Sequence, residues 1–313
     1  MELKKNNEKK LLNEVKSNIL KKDADDTKKN QEFTKNLYNQ LQLSDLPDNV
    51  SISTMTICCK TNTLYHITDI KKYIELTVDG IICCGSDPDT QRSLIMPKKK
   101  NGKRKKKKNF YNQITLRIVT DEKIINVKLF TNGSIQMTGC KTIISTQQAL
   151  ERLFFKLHEK KKIIDENGIE QTITFISEPQ NVNINMIYDV KISMINSNFK
   201  IGYKIKREKL YEILVQENKK CTYDPIIHAC VNIKHRFDES KQDDKEISIF
   251  VFESGSIIIT GARNCTHINS AYNYINTFLI KYLVDIKKQT FSLTDEDNSI
   301  YGINLLHSLG YRS

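Results

Sequence analysis

With 313 residues the chain is long enough for one large domain or two small ones, and a hydrophobic content of 39% can still fill a core. A net charge of +12 favours a polyanionic partner, either nucleic acid or an anionic membrane surface. No run of 18 apolar residues occurs and the opening MELKKNNEKK has no apolar centre, which argues against a membrane-spanning helix and a secretory signal.

Residues 1–45 are rich in Lys, Asn, Asp and Gln with scattered Leu, and read as an appended, partly disordered arm. From Val50 the texture changes to alternating β-branched and apolar residues, the signature of strands. Residues 98–108, KKKNGKRKKKK, carry nine basic side chains, and without them the net charge falls to +3 (12 − 9). Such a run serves auxiliary phosphate binding, nuclear targeting or no more than a solvated loop. Farther on, Ala149, Leu150, Leu153, Phe154 and Leu157 fall at helical spacing and predict a helix over 147–158. Residues 161–184 read as a linker. Ala271, Ile275, Phe278, Leu279 and Tyr282 predict a second helix over 268–282, followed by a tail from 289 to 313. The eight cysteines include adjacent pairs but no Cys-x-x-Cys or zinc spacing, so they read as buried or idle thiols of a reducing compartment, and no metal or other cofactor is expected.

An internal repeat organises these elements. Phe130–Lys141, FTNGSIQMTGCK, aligns without a gap with Phe252–Arg263, FESGSIIITGAR, at an offset of 122 residues (252 − 130). Upstream, VSISTMT from Val50 resembles VKISMIN from Val190. Two copies of one unit follow, 46–160 with the basic insertion and 185–288, each reading as strand, helix, several strands, helix. The Thr-Asn-Gly-Ser and Glu-Ser-Gly-Ser steps are hairpin turns with Gly supplying the positive φ. The two units are expected to join edge to edge into one sheet.

A sheet backed by helices on one side alternates apolar inward and polar outward. Ile249, Val251, Ile257 and Ile259 share the inward parity; Phe250, Phe252, Ser256, Ile258 and Thr260 share the outward one, which is too apolar to stand bare in water. The outward set of the first copy, Lys128, Phe130, Ser134, Gln136 and Thr138, is more polar. A second protein layer would cover such a face, although no third set of helices is evident. The DNA minor groove would cover it equally well, because it presents sugars and a degenerate base pattern and admits apolar wedges between base steps.

The duplicated Phe, Gly turn, apolar run and Thr-Gly-x-basic ending resembles the core of the TATA-binding protein family, and Tyr111–Ile118 is similar to the second strand of its first repeat. The resemblance implies an α+β fold, a duplicated saddle whose curved antiparallel sheet carries helices on the convex face. It implies a minor-groove DNA-binding transcription initiation factor, not an enzyme, that recognises and bends A/T-rich promoter DNA; a saddle retained only as a scaffold for transcription proteins is the alternative. The family's wedging Phe positions correspond to Phe130 and Phe252, with Tyr111 as the companion in the first repeat. In the second repeat the companion position falls within Pro225–His228, where Ile226, Ile227 or His228 must serve. Thr138 and Thr260 match groove-facing Thr residues, and Arg117, Lys141 and Arg263 match basic residues near phosphates.

The family also carries an Asn on the first strand of each repeat; alignment puts Val50 and Val190 there, with Ile52 and Ile192 beside them as further groove contacts. Phe250 and Ile258 complete the expected floor, while Lys128 and Gln136 stand where the family is apolar. Tyr223-Asp224-Pro225 resembles the acidic surface that meets a general transcription initiation factor of the TFIIB type, so Asp224 is the expected partner contact, alongside the RNA polymerase machinery. No membrane or small-molecule partner is expected. The Lys- and Asn-rich composition suggests a divergent member from a large DNA virus, located in a nucleus, a cytoplasmic viral factory or a virion.

Overall fold

The computed structural model describes residues 33, 35, 37, 39–41, 46–85, 91–95, 111–164, 168–237 and 245–288. The basic run 98–108, most of the 1–45 arm, Phe110 and the 289–313 tail lie outside the described residues.

The first repeat contains β1 (Ser51–Lys60), α2 (Ile67–Tyr73), β2 (Ile81–Cys84), β3 (Arg92–Ser93), β4 (Gln113–Val119), β5 (Ile124–Phe130), β6 (Ser134–Cys140) and α3 (Ile143–Leu157). A small hairpin of β7 (Lys161–Ile164) and β8 (Glu170–Ile173) follows. The second repeat contains β9 (Tyr188–Lys200), α4 (Arg207–Gln216), β10 (Cys221–Thr222), β11 (Cys230–Arg236), β12 (Glu246–Phe252), β13 (Ser256–Ala262), α5 (Cys265–Lys281) and α6 (Leu283–Ile286).

Eleven strands form one sheet in the order β10-β11-β12-β13-β9-β1-β6-β5-β4-β2-β3, with every pairing antiparallel. The order is a palindrome about the β9–β1 junction, apart from the extra edge strand β3, so the two repeats do join edge to edge. Met55 pairs with Ile195 at that junction, 140 residues apart (195 − 55). β4 and β11 begin 117 residues apart (230 − 113), while the two hairpins keep the offset of 122.

Along the hairpin strands buried residues alternate with half-buried or, at Asn126, exposed ones, and the alternation breaks only at the Thr-Gly steps that end β6 and β13. Ile249, Val251, Ile257 and Ile259 are each 0% exposed and belong to the same core as Leu150, Leu153, Ile275 and Leu279 of the long helices. Burying each such side chain contributes about 1.5–3 kcal/mol relative to leaving it in water. Helix α3 starts earlier than its apolar periodicity predicts, because Thr142 accepts from the Ser145 amide and Ser145 Oγ accepts from the Thr142 amide. In α5 the Asn264 side chain accepts from the His267 amide at 2.9 Å, which likewise sets the start ahead of residue 268.

The turn glycines are sterically required. Gly133 has φ +83°, and a Cβ there would lie 2.3 Å from the Thr61 carbonyl; Gly255 has φ +79°, and its Cβ would lie 2.2 Å from the Tyr203 carbonyl.

Two segments depart from expectation. Within the 1–45 arm, the described residues 33, 35, 37 and 39–41 are helical (α1), and Phe33, Leu37 and Leu41 are buried in the common core. Gln40 Nε2 also donates to the Val190 carbonyl at 3.0 Å, so this part of the chain belongs to the folded body. The described residues of the 161–184 linker, 161–164 and 168–184, are structured as well. They contain the β7–β8 hairpin, and Phe175, Ile176 and Val182 fill the core beneath Tyr65, whose backbone bridges to Ile176.

Candidate nucleic-acid interface

Because one parity of the strands is consumed by the helical layer, the other parity forms a face that no helix covers among the described residues. Cross-strand pairing arranges it in rows that can be compared between halves. In the first half, one row runs Arg117, Asn126, Thr138, Thr56. Its counterpart in the second half runs Lys234, Ser248, Thr260, Asn196. Both rows lead from a cation through a small polar side chain and a Thr to a polar side chain at the molecular centre. The neighbouring rows differ: Thr115, Lys128, Gln136, Cys58 against Asn232, Phe250, Ile258, Asn198.

Phe130 and Phe252 are half-buried on this face, paired with Gln113 and Cys230 of the adjacent strands. Neither lies beneath a helix. Tyr111 stands just ahead of β4 and is 94% exposed. At the β4–β11 offset its counterpart is His228, which is also exposed and follows the exposed Ile226 and Ile227. That segment is held by Asp224, whose Oδ1 accepts from the Ile226 amide at 2.9 Å and whose carbonyl accepts from the His228 amide at 2.7 Å. Arg207 reinforces it by donating to the Ala229 carbonyl at 2.8 Å and lying over the Tyr223 ring. Asp224 is thus half-buried and committed to closing its own turn. Lys141 and Arg263 are exposed, each one residue ahead of a capped helix start.

Four site expectations are corrected. Val50 and Ile192 are buried in the core, and Ile52 and Val190 pack against it, so none of them stands on the open face. The register of β1 slips between Ile52 and Thr54 and again between Met55 and Thr56, which exchanges the faces of flanking residues. The side chain beside Thr260 is instead Asn196, which accepts from Thr260 Oγ1 and donates through Nδ2 to Thr54 Oγ1 at 3.0 Å. Its counterpart at the offset of 140 is Thr56, beside Thr138 and only 7% exposed. Asn198 adds a second amide, bonded to Ser51 and Ser53 at 2.9 and 2.6 Å. The sequence reading missed these residues. The asparagines of MINSN were visible, but the slip that turns them outward is not encoded in strand periodicity.

Protonation is settled by burial on the core side and by ion pairs at the rim. The Cys59 thiol is pushed up to about 12, and Cys84 and Cys140 to about 11, chiefly by desolvation. Lys60, at the end of β1, forms a 2.9 Å ion pair with Asp189 across the β1–β9 junction, and its hydrogen bond holds that carboxyl below the usual range. Lys245 is lowered by burial and then by the nearby Arg263 charge. Among the described residues no cluster of three metal-ligating side chains occurs, and no helix is long and apolar enough to cross a membrane.

These features define a class: a duplicated antiparallel sheet with helices on one face and an open face built of paired rows. Residues 189–282 match the family model described as "Transcription factor TFIID (or TATA-binding protein, TBP)". The chain is also 40% identical over 259 residues to a "TATA-box-binding protein-like" protein of Acanthamoeba polyphaga mimivirus, with 76% of this chain and 67% of that protein covered. Among solved structures, "Methanococcus jannaschii TBP" is similar at 14% identity, covering 74% of this chain and 96% of that one with a TM-score of 0.43. The chain belongs to the TATA-binding protein family, a family of DNA-binding transcription factors.

Proposed function

We propose that the chain binds the minor groove of A/T-rich promoter DNA through its open sheet face and bends the duplex, as a transcription initiation factor. The observation that carries this reading is the placement of Phe130 and Phe252 at dyad-related positions on one uncovered face, each with an exposed ring-bearing companion, Tyr111 or His228. Unstacking a base step costs a few kcal/mol, offset by the surface that bent DNA can touch. Wedges at two separated steps would bend the duplex between them. Thr138, Thr260 and Asn196 would meet base edges near the centre, and Arg117, Lys141, Lys234 and Arg263 would meet phosphates. Asn196 beside Thr260 supports DNA binding over the scaffold alternative in the second half, whereas Thr56, at the equivalent place in the first, is only 7% exposed.

Fluorescence transfer between the ends of a short A/T-rich duplex tests the reading. Binding should bring the ends together, and Phe130→Ala or Phe252→Ala should reduce both bending and affinity. Tight binding with unchanged end-to-end distance in both variants counts against wedging. For the protein partner, we propose that the Tyr223–Pro225 surface meets a general initiation factor of the TFIIB type. An Asp224→Lys variant that still retains such a factor from transcribing extracts would refute it.

A further inference from the structure

The two non-equivalent rows carry a consequence for base selection, which rests on the DNA-binding reading above. In the second half the row is Asn232, Phe250, Ile258, Asn198, with two apolar side chains at its middle. At the same two places the first half has Lys128 and Gln136, directly opposite each other across β5 and β6. Both are half-buried, and neither has a hydrogen-bond partner among the described residues. In the second half Asn198 is tied to Ser51 and Ser53, Asn196 to Thr260 and Thr54, and Lys234 to Ser248 at 2.7 Å, while the Asn232 Oδ1 at the outer end of the row is buried without a hydrogen-bond partner. Half-buried, the amide and ammonium can bond to water on the bare face, but under a covering molecule they would need partners on that molecule.

We infer that Gln136, flanked by Lys128, is a base-reading residue that makes the first half of the sheet accept a G·C pair, while the second half, through Ile258 and Phe250, accepts only A·T. The minor-groove edge of an A·T pair carries acceptors alone, and a G·C pair adds the guanine amino donor. A glutamine amide presents one acceptor oxygen and two N–H donors. Its Oε1 can accept from the guanine amino group while Nε2 donates to the adjacent ring acceptor. Lys128 supplies a further donor for the neighbouring acceptor edge. Ile258, at the equivalent place, can do neither and leaves the amino group desolvated without a partner. The saddle is therefore polar in its reading: one orientation on a mixed element is preferred because only one half tolerates guanine.

Inosine separates this from general affinity, since it pairs with cytosine but lacks the amino group. Anisotropy titrations of the full chain would use A/T-rich elements with a single G·C pair under one half or one under each half, each beside its inosine·cytosine counterpart. Wild type should bind the single-G·C element within about twofold of its inosine form, and the doubly substituted element about tenfold more weakly than its inosine form. Gln136→Val should impose about tenfold discrimination on the single-G·C element as well. Ile258→Gln should abolish discrimination on the doubly substituted one, a gain that misfolding cannot produce. Discrimination by wild type against the single G·C pair, or an Ile258→Gln ratio equal to wild type, would overturn the proposal. Absence of binding to every duplex, including all-A·T, would overturn the DNA-binding reading and this inference with it.

Discussion

Met55 faces Ile195 at the point where the sheet meets its own copy. The two residues occupy equivalent places in the two repeats and pair with each other in the ladder, with 2% and 0% of their surfaces exposed. The junction therefore consists of a continuous antiparallel pair with a shared core beneath it, instead of two finished domains in contact.

Truncation at that point should weaken both halves together. Met55→Ala is expected to cost about 2–5 kcal/mol, the range for emptying a buried Met site. Calorimetry should show one transition at lower temperature. Two separated transitions would mean that the halves unfold independently.

The hairpin glycines make a sharper test of local geometry. At Gly255 an added Cβ meets the Tyr203 carbonyl, and φ is +79°. Gly255→Ala should destabilise by more than about 1 kcal/mol in urea melts, and Gly133→Ala similarly. Alanine at Gly168, where φ is +77° but nothing lies within 4 Å, should be milder.

Thiol chemistry can map the covered face. Cys58 and Cys230 stand on the open face, whereas Cys221 pairs with the core residue Ile233, and Cys59, Cys83, Cys84, Cys140 and Cys265 are buried. Under mild alkylation the five buried thiols should react last. A/T-rich duplex should slow modification of Cys58 and Cys230 and leave Cys221 unchanged, read by peptide mass spectrometry. Equal protection of all three would place the duplex elsewhere.

Acid should remove the ion pair that helps hold the segment after α5 against the second hairpin, leaving its backbone bonds to Lys204 and Lys206 in place. Lys288 lies 2.7 Å from Glu253, and its hydrogen bond, with Arg207 3.2 Å away, holds that carboxyl below its ordinary value. A depressed carboxyl contributes stability above its unfolded pKa and loses it as pH falls through the folded one. The melting-temperature difference between wild type and Glu253→Gln should therefore be present at about pH 7 and vanish by about pH 2. A difference independent of pH would show that packing, not charge, is responsible.

The repeat was legible because hairpin and helix kept one offset, and the inward parity of Ile249, Val251, Ile257 and Ile259 followed from alternation alone. The first strands were not legible in the same way. Alternation predicts a face only while register is kept, and β1 slips where it meets β9 and β6. The α1 helix was hidden differently: Phe33, Leu37 and Leu41 fall four residues apart, but their charged surroundings masked the stripe. Phe175, Ile176 and Val182 were the corresponding signal in the segment read as a linker.

The seat of α1 has a bearing on the order of assembly during translation. The Leu41 carbonyl accepts from the Cys265 thiol, a contact across 224 residues of chain. A ribosome must synthesise almost all of the second repeat before this early helix can find its neighbour, and β1 likewise waits for β9. Contacts so remote in sequence slow folding and leave apolar surface exposed in the nascent chain. The first repeat, though first made, thus emerges with an unpaired edge strand and an undocked helix until its twin arrives.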